Sequence, residues 1–162
     1  MALDKKFENL FIQVSTKAAL SSFYWVGKKN KNAADKAAVD TMRNELNKID
    51  MKGKIVIGEG ELDEAPMLYI GETVGTNNGP ELDIAVDPLE GTNFAAKNLP
   101  GAISVIAISN KNDLFNAPES YMEKISYPKG IDQNAIDLDF SLKKNLSNLA
   151  DSKNKKFENL RI

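Results

Sequence analysis

The 162-residue chain has neither cysteine nor histidine. Without cysteine there are no disulfides, thiolate zinc sites or cysteine nucleophiles. Without histidine there are no Ser-His-Asp or Cys-His arrangements and no phosphohistidine chemistry. Catalysis by such a chain falls to carboxylates, lysines, hydroxyls and metals. No apolar run is long enough to cross a bilayer. The start, Met1-Ala2-Leu3-Asp4-Lys5-Lys6, lacks the basic-then-apolar pattern of a secretory signal. The expectation is a cytoplasmic protein with no membrane partner. Neither sign of charge dominates, with 21 Lys and Arg against 23 Asp and Glu. Lysines gather in short runs (Lys28, Lys29 and Lys31; Lys153, Lys155 and Lys156) without interleaved aromatics. Such runs are solvated loop and helix-end lysines, and no nucleic-acid partner is expected. An apolar fraction of 42% at this length suits one domain with a real core.

Residues 3–26 have helical periodicity, with Phe7, Leu10, Phe11, Val14, Ala18 and Trp25 on the apolar stripe and Gly27 as the stop. After a polar connection with Asn32 as candidate N-cap, a second helix runs to about Ile49. It places Ala34, Ala38, Met42 and Leu46 on one face and Asp35 in its first turn. A carboxylate there is favoured by the helix dipole alone. Strands are predicted at 54–57, 82–86 and 103–108. The turn Asn110-Lys111-Asn112-Asp113 leads to a return strand from Leu114 and Phe115. Met67–Ile70 fits the start of either a strand or a short helix. Ser141 caps a helix to Ser152 with Leu142, Leu146 and Leu149 on one face, and Phe157–Ile162 reads as the start of a strand.

Chemistry concentrates in two acidic turns. Strand 54–57 runs into Gly58-Glu59-Gly60-Glu61-Leu62-Asp63-Glu64, which has two glycines and four acids in seven residues. A solvated acidic turn is the bland alternative. The second is Asp83-Ile84-Ala85-Val86-Asp87-Pro88-Leu89-Glu90-Gly91-Thr92, a buried strand ending in two carboxylates, a glycine and a threonine. Asp87 and Glu90 can point at one hard cation, Gly91 lets backbone approach a ligand, and Thr92 adds a hydroxyl. Oxygen ligands with open positions suit Mg²⁺ or Mn²⁺ and a phosphate substrate.

These motifs resemble class II fructose-1,6-bisphosphatase. The matching residues are Lys31-Asn32-Ala33-Ala34-Asp35 with Ala37-Ala38-Val39, Ile55 through Glu72, Asp83 through Thr92, and Asn116-Ala117-Pro118 with Tyr121-Met122-Glu123-Lys124. The Asp-Pro-x-Glu-Gly-Thr turn marks a wider superfamily of lithium-sensitive, metal-dependent sugar and inositol phosphatases. The resemblance implies a layered α/β sandwich of the sugar-phosphatase type, with a mixed sheet and two leading helices. It implies that Asp35, Glu59, Asp87 and Glu90 hold Mg²⁺ or Mn²⁺, assisted by a carbonyl at Pro88 or Leu89. Glu90, Gly91 and Thr92 would lie against the reacting phosphate, and Tyr121 would contact substrate. Thr92, with Asp63 as partner, is the candidate for orienting and deprotonating the attacking water.

Family members extend well beyond this length, so residues 1–162 are expected to form one incomplete domain, the N-terminal half. Three readings follow: a truncated bisphosphatase with little activity alone, one half of a split enzyme, or a residual Mg²⁺-binding or interaction module. The expected partners are a sugar bisphosphate and either a second copy of the chain or a complementing C-terminal half.

Overall fold

The computed structural model describes residues 5–59, 67–115 and 122–161. The chain divides into two compact units, Met1–Ala117 and Pro118–Ile162. In the first, helices α1 (Lys5–Phe23) and α2 (Lys31–Leu46) precede strand β1 (Lys52–Ile57). A two-residue strand β2 (Thr73–Val74), the long strand β3 (Glu81–Glu90), a short helix α3 (Thr92–Ala96) and strand β4 (Ile103–Asn110) follow. The sheet order is β2-β1-β3-β4, with β1 parallel to β3 and both outer pairs antiparallel. The fold is α/β with a mixed sheet and two leading helices, as expected.

Alternation along the strands sets the two faces. Ile55, Ile84, Val86, Ile106 and Ile108 lie on one face and pack with Phe7, Phe11, Val14, Ala38, Met42 and Leu46 of α1 and α2. The other face carries Ala85, Asp87, Val105 and Ala107. The small alanines of α2, Ala34 and Ala38, are fully buried and allow close helix approach. Leu10 does not join this core and is exposed. It stands just beyond the narrow stripe that Phe7, Phe11, Val14 and Ala18 bury.

Helix α1 stops at Phe23, three residues early, because Trp25 and Val26 donate to Ser22 and Phe23 in tight i to i+3 turns before Gly27 turns left-handed at φ +75°. The N-cap of α2 is Asn30, not Asn32: its side chain accepts from the Ala33 amide at 3.0 Å. The helix therefore begins two residues earlier than the cap at Asn32 would set. Asp35 then falls in the second turn, where the dipole holds a carboxylate less strongly. The bland account of Asp35 loses most of its force.

In the second unit, helix α4 (Leu142–Ser152) is capped by Ser141, which accepts from the Lys144 amide at 3.2 Å. Its buried positions are Asn145 and Ala150, while Leu142 is exposed. Asn145 is satisfied by the backbone of Asp137, accepting from its amide at 2.9 Å and donating to its carbonyl at 2.7 Å. Local polar bonding thus overrides the leucine stripe. Residues Phe157–Asn159 form a single 3-10 turn instead of a strand. That turn is satisfied locally, whereas a strand needs a neighbour to pair with. Leu114 and Phe115 follow the turn after β4 without strand structure.

Candidate metal and phosphate site

Strand β3 breaks its register between Asp87 and Glu90. Asp87 opposes Val105 and Glu90 opposes Ile103, so Pro88 and Leu89 together face Ser104 alone. In an unbroken strand, residues three apart point to opposite faces. The extra residue of this bulge returns Glu90 to the face of Asp87. Pro88, which has no amide to donate, is fully buried in the bulge. Asp87 stabilises it by accepting from the Leu89 amide at 3.2 Å.

Gly91 follows at φ +80°, and an added Cβ would meet the Phe94 ring at 3.0 Å. Its carbonyl accepts from Phe94 and Ala95 at 2.8 and 3.2 Å, starting α3 at Thr92. The carbonyls at the far end of α3 accept from the loop before α2: Gly27 donates to Ala95 at 3.0 Å and Lys29 to Ala96 at 2.9 Å. These two bonds tie the start of the helix carrying Asp35 to the turn carrying Glu90 to Thr92.

Glu59 leaves the end of β1, its amide donating to the Leu68 carbonyl at 3.1 Å. Gly58 permits this approach, since a Cβ there would lie 2.2 Å from the Leu68 oxygen. Arg43 holds the same loop to α2. It pairs with Glu72 through Nε at 2.6 Å and Nη2 at 3.1 Å, and Nη2 also donates to the Met67 carbonyl. Sequence reasoning missed Arg43. On an amphipathic helix it is one more polar residue, and only the fold shows that it faces the loop after Glu59.

The charges of Asp87, Asp35 and Glu90 bear on Glu59. Burial raises the Glu59 pKa to about 7, helped by the charges of Asp87 and Asp35, a side-chain hydrogen bond with Asp87 and the charge of Glu90. Burial, a hydrogen bond with Glu90 and the charge of Glu90 raise Asp87 to about 6. Asp35 is also raised, by burial. Its Oδ1 is buried with no hydrogen-bond partner among the described residues. Asp87 thus acts on Glu59 and Glu90 on Asp87, with Asp35 acting on Glu59 through its charge. Among the described residues no three acids form a ready-made ligand cage around one point. Crowding of like charges and a preassembled cage are different conditions, and these residues meet the first. The donor chemistry fits a hard divalent cation: all oxygen, an orphaned buried carboxylate oxygen, and acids whose protons a cation would displace. Asp63 and Tyr121 lie outside the described residues.

A cavity of about 830 Å³ lies at the other end of β1 and β3, lined by Lys52, Lys54, Asp83 and Asn112 among others. None of the four acids lines it. Asp83 there is buried and accepts from the Asn112 amide at 2.7 Å, which closes the turn after β4.

The structure thus gives a mixed α/β sheet with partly buried acids at and beside a strand bulge. The comparisons carry this to a family. The family model described as bacterial fructose-1,6-bisphosphatase, glpX-encoded, matches residues 5–162. This chain belongs to that family. It is 47% identical over 152 residues to fructose-1,6-bisphosphatase 1 class 2 of Escherichia coli strain K12, covering 94% of this chain and 45% of that protein. It is 49% identical over 152 residues to the class 2 D-fructose 1,6-bisphosphatase/sedoheptulose 1,7-bisphosphatase of Thermosynechococcus vestitus, covering 86% of this chain and 44% of that protein. The Synechocystis protein of the same name is 47% identical over 161 residues, covering 92% of this chain and 46% of that protein. The chain spans about half the length of these relatives.

Proposed function

We propose that this chain is the N-terminal, metal-ligating half of a bisphosphatase that removes the 1-phosphate of fructose 1,6-bisphosphate or sedoheptulose 1,7-bisphosphate. The carrying observation is the β3 bulge that turns Asp87 and Glu90 to one face, with the charges of Asp87, Asp35 and Glu90 bearing on Glu59. Asp35, Glu59, Asp87 and Glu90 would hold Mg²⁺ or Mn²⁺. When bound, such a cation offsets the negative charge of the phosphate and lowers the pKa of water.

The protein's own groups do the rest. Glu90, Gly91 and Thr92 bind the reacting phosphate, with amides of the Gly91–Thr92 turn directed at its oxygens. The Thr92 hydroxyl orients the water, and the Asp63 carboxylate, its partner, takes up the proton. The water oxygen forms a bond to phosphorus, the bond from phosphorus to the sugar oxygen breaks with its electron pair going to that oxygen, which takes a proton from solvent, and inorganic phosphate leaves. Tyr121 contacts the sugar. Groups beyond the matched region would grip the substrate's second phosphate. The chain works with a complementing C-terminal half or as a homo-oligomer, and shares the lithium sensitivity of the wider superfamily.

The test is Mg²⁺- or Mn²⁺-dependent phosphate release from fructose 1,6-bisphosphate, by the chain alone and with the second half of a relative added. Strong turnover on complementation, inhibited by Li⁺, is expected. Metal binding without turnover in any combination would leave a non-catalytic Mg²⁺-binding module. No metal binding at all would refute the proposal.

A further inference from the structure

Helix α3 has five residues, too few for helical hydrogen bonds to hold it alone. Its buried residues are Ala95 and Ala96, while Phe94 is 47% exposed. Phe94 is nonetheless closely fitted. Its amide donates to the Gly91 carbonyl and its carbonyl accepts from the Leu99 amide, both at 2.8 Å. Its ring lies against two glycines of positive φ, Gly91 at +80° and Gly101 at +111°. A Cβ on Gly91 would meet the ring Cδ2 at 3.0 Å, and one on Gly101 would meet Cδ2 and Cε2 at 3.6 and 3.8 Å. The Cβ on Gly91 would also lie 3.4 Å from the Ala102 Cα and 3.6 Å from the Gly101 carbonyl oxygen. The turn after β3, the ring and the lead into β4 are therefore packed against one another. Glycine has no side chain to restrict its own φ. The surroundings must hold Gly91 left-handed, and of its three nearest atoms only that of the Phe94 ring belongs to a side chain.

The geometry points to Phe94 as a positioning residue: its ring fixes the Gly91–Thr92 turn in the orientation that receives the reacting phosphate, without itself touching substrate. This rests on the reading of that turn as the phosphate site. Removing the ring leaves both backbone bonds of residue 94 available, so what is lost is the steric hold on Gly91. Leucine fills part of the slot against the two glycines, and alanine leaves it empty.

The experiment is calorimetric titration of the full chain with Mg²⁺, then with inorganic phosphate at saturating Mg²⁺. Phe94→Ala should weaken phosphate binding by about tenfold, because a loosened turn presents its amides off their best geometry. Mg²⁺ affinity should stay within about twofold, since the Asp87–Glu90 bulge keeps its own bond from the Leu89 amide. Phe94→Leu should recover most of the phosphate affinity. In EDTA, the Ala95 amide, which donates to the Gly91 carbonyl, should exchange about tenfold faster in Phe94→Ala, while amides of Ile84 and Val86 in β3 keep their rates. Equal phosphate affinity in wild type and Phe94→Ala would overturn this inference alone. Losses of Mg²⁺ and phosphate affinity in equal measure would mark a merely structural side chain and overturn it as well. A wild-type chain that binds Mg²⁺ but no phosphate would overturn the reading of the turn, and this inference with it.

Discussion

Glu59 holds its proton up to about pH 7 and Asp87 up to about pH 6, mainly because burial penalises their charged forms. The folded chain therefore keeps protons that the unfolded chain releases at ordinary carboxylate values. Between the unfolded and folded pKa values the native state binds more protons, so stability falls as pH rises through that window and levels off above it. Urea unfolding in EDTA should give greater stability at pH 5 than at pH 8 from these two groups, and Glu59→Gln should flatten the difference. A stability that rises over this range equally in wild type and variant would contradict the burial of Glu59. Cations compete for the same oxygens, so metal affinity should climb from pH 5.5 to pH 8, with proton release detectable by calorimetry in buffers of different ionisation enthalpy. Asp87→Ala should abolish Mg²⁺ or Mn²⁺ binding, and unchanged binding would remove Asp87 from the site. Gly91→Ala should cost about 1–2 kcal/mol from its left-handed backbone alone, read as a shift in the urea midpoint.

At the scale of elements, three connections hold the site together. The β3 bulge brings Asp87 and Glu90 to one face, the α3 carbonyls anchor the entry to α2, and Arg43 anchors the loop after Glu59. Asn30→Ala removes the α2 cap and should cost about 1 kcal/mol. Its consequence for function is local, since the first turns of α2 carry Asp35. Arg43→Met leaves Glu72, only 12% exposed, without its bidentate partner. A loss of about 2–3 kcal/mol is expected, below the cost of breaking a fully buried pair because Arg43 itself is 24% exposed. Arg43→Lys should recover only part of it, because an ammonium cannot span both carboxylate oxygens and the Met67 carbonyl. Full recovery by lysine would show that charge alone matters here.

For the whole molecule, a cation that binds only the folded state adds stability by mass action. At a free Mg²⁺ concentration 100 times its Kd, the gain should be about 2.7 kcal/mol. The thermal midpoint should rise with Mg²⁺ or Mn²⁺ and stay fixed in the Asp87→Ala variant. A midpoint that rises equally in both would trace the effect to charges elsewhere on the surface.

Local signals in the sequence were enough for α1, α2, α4 and the three longer strands, but they missed β2 and α3 and placed strands at Leu114–Phe115 and from Phe157 where none form. Periodicity found α2 and its buried Ala34, Ala38, Met42 and Leu46, because an amphipathic helix writes its contacts at fixed spacing. The Asp-Pro-x-Glu-Gly-Thr turn, with a glycine that must adopt a positive φ, was legible for the same reason: its constraints lie within a few residues. The cap at Asn30 was misplaced because two asparagines compete within the same polar connection, and only backbone geometry chooses between them. What tertiary structure alone decided was convergence. Asp35, Glu59, Asp87 and Glu90 come from a helix, a strand exit and a bulged strand, and the charges of the other three bear on Glu59 only once those elements pack. The grip of Arg43 on Glu72 is likewise set by long-range packing. No local pattern encodes them, since each depends on residues far apart in the chain that meet only in the fold.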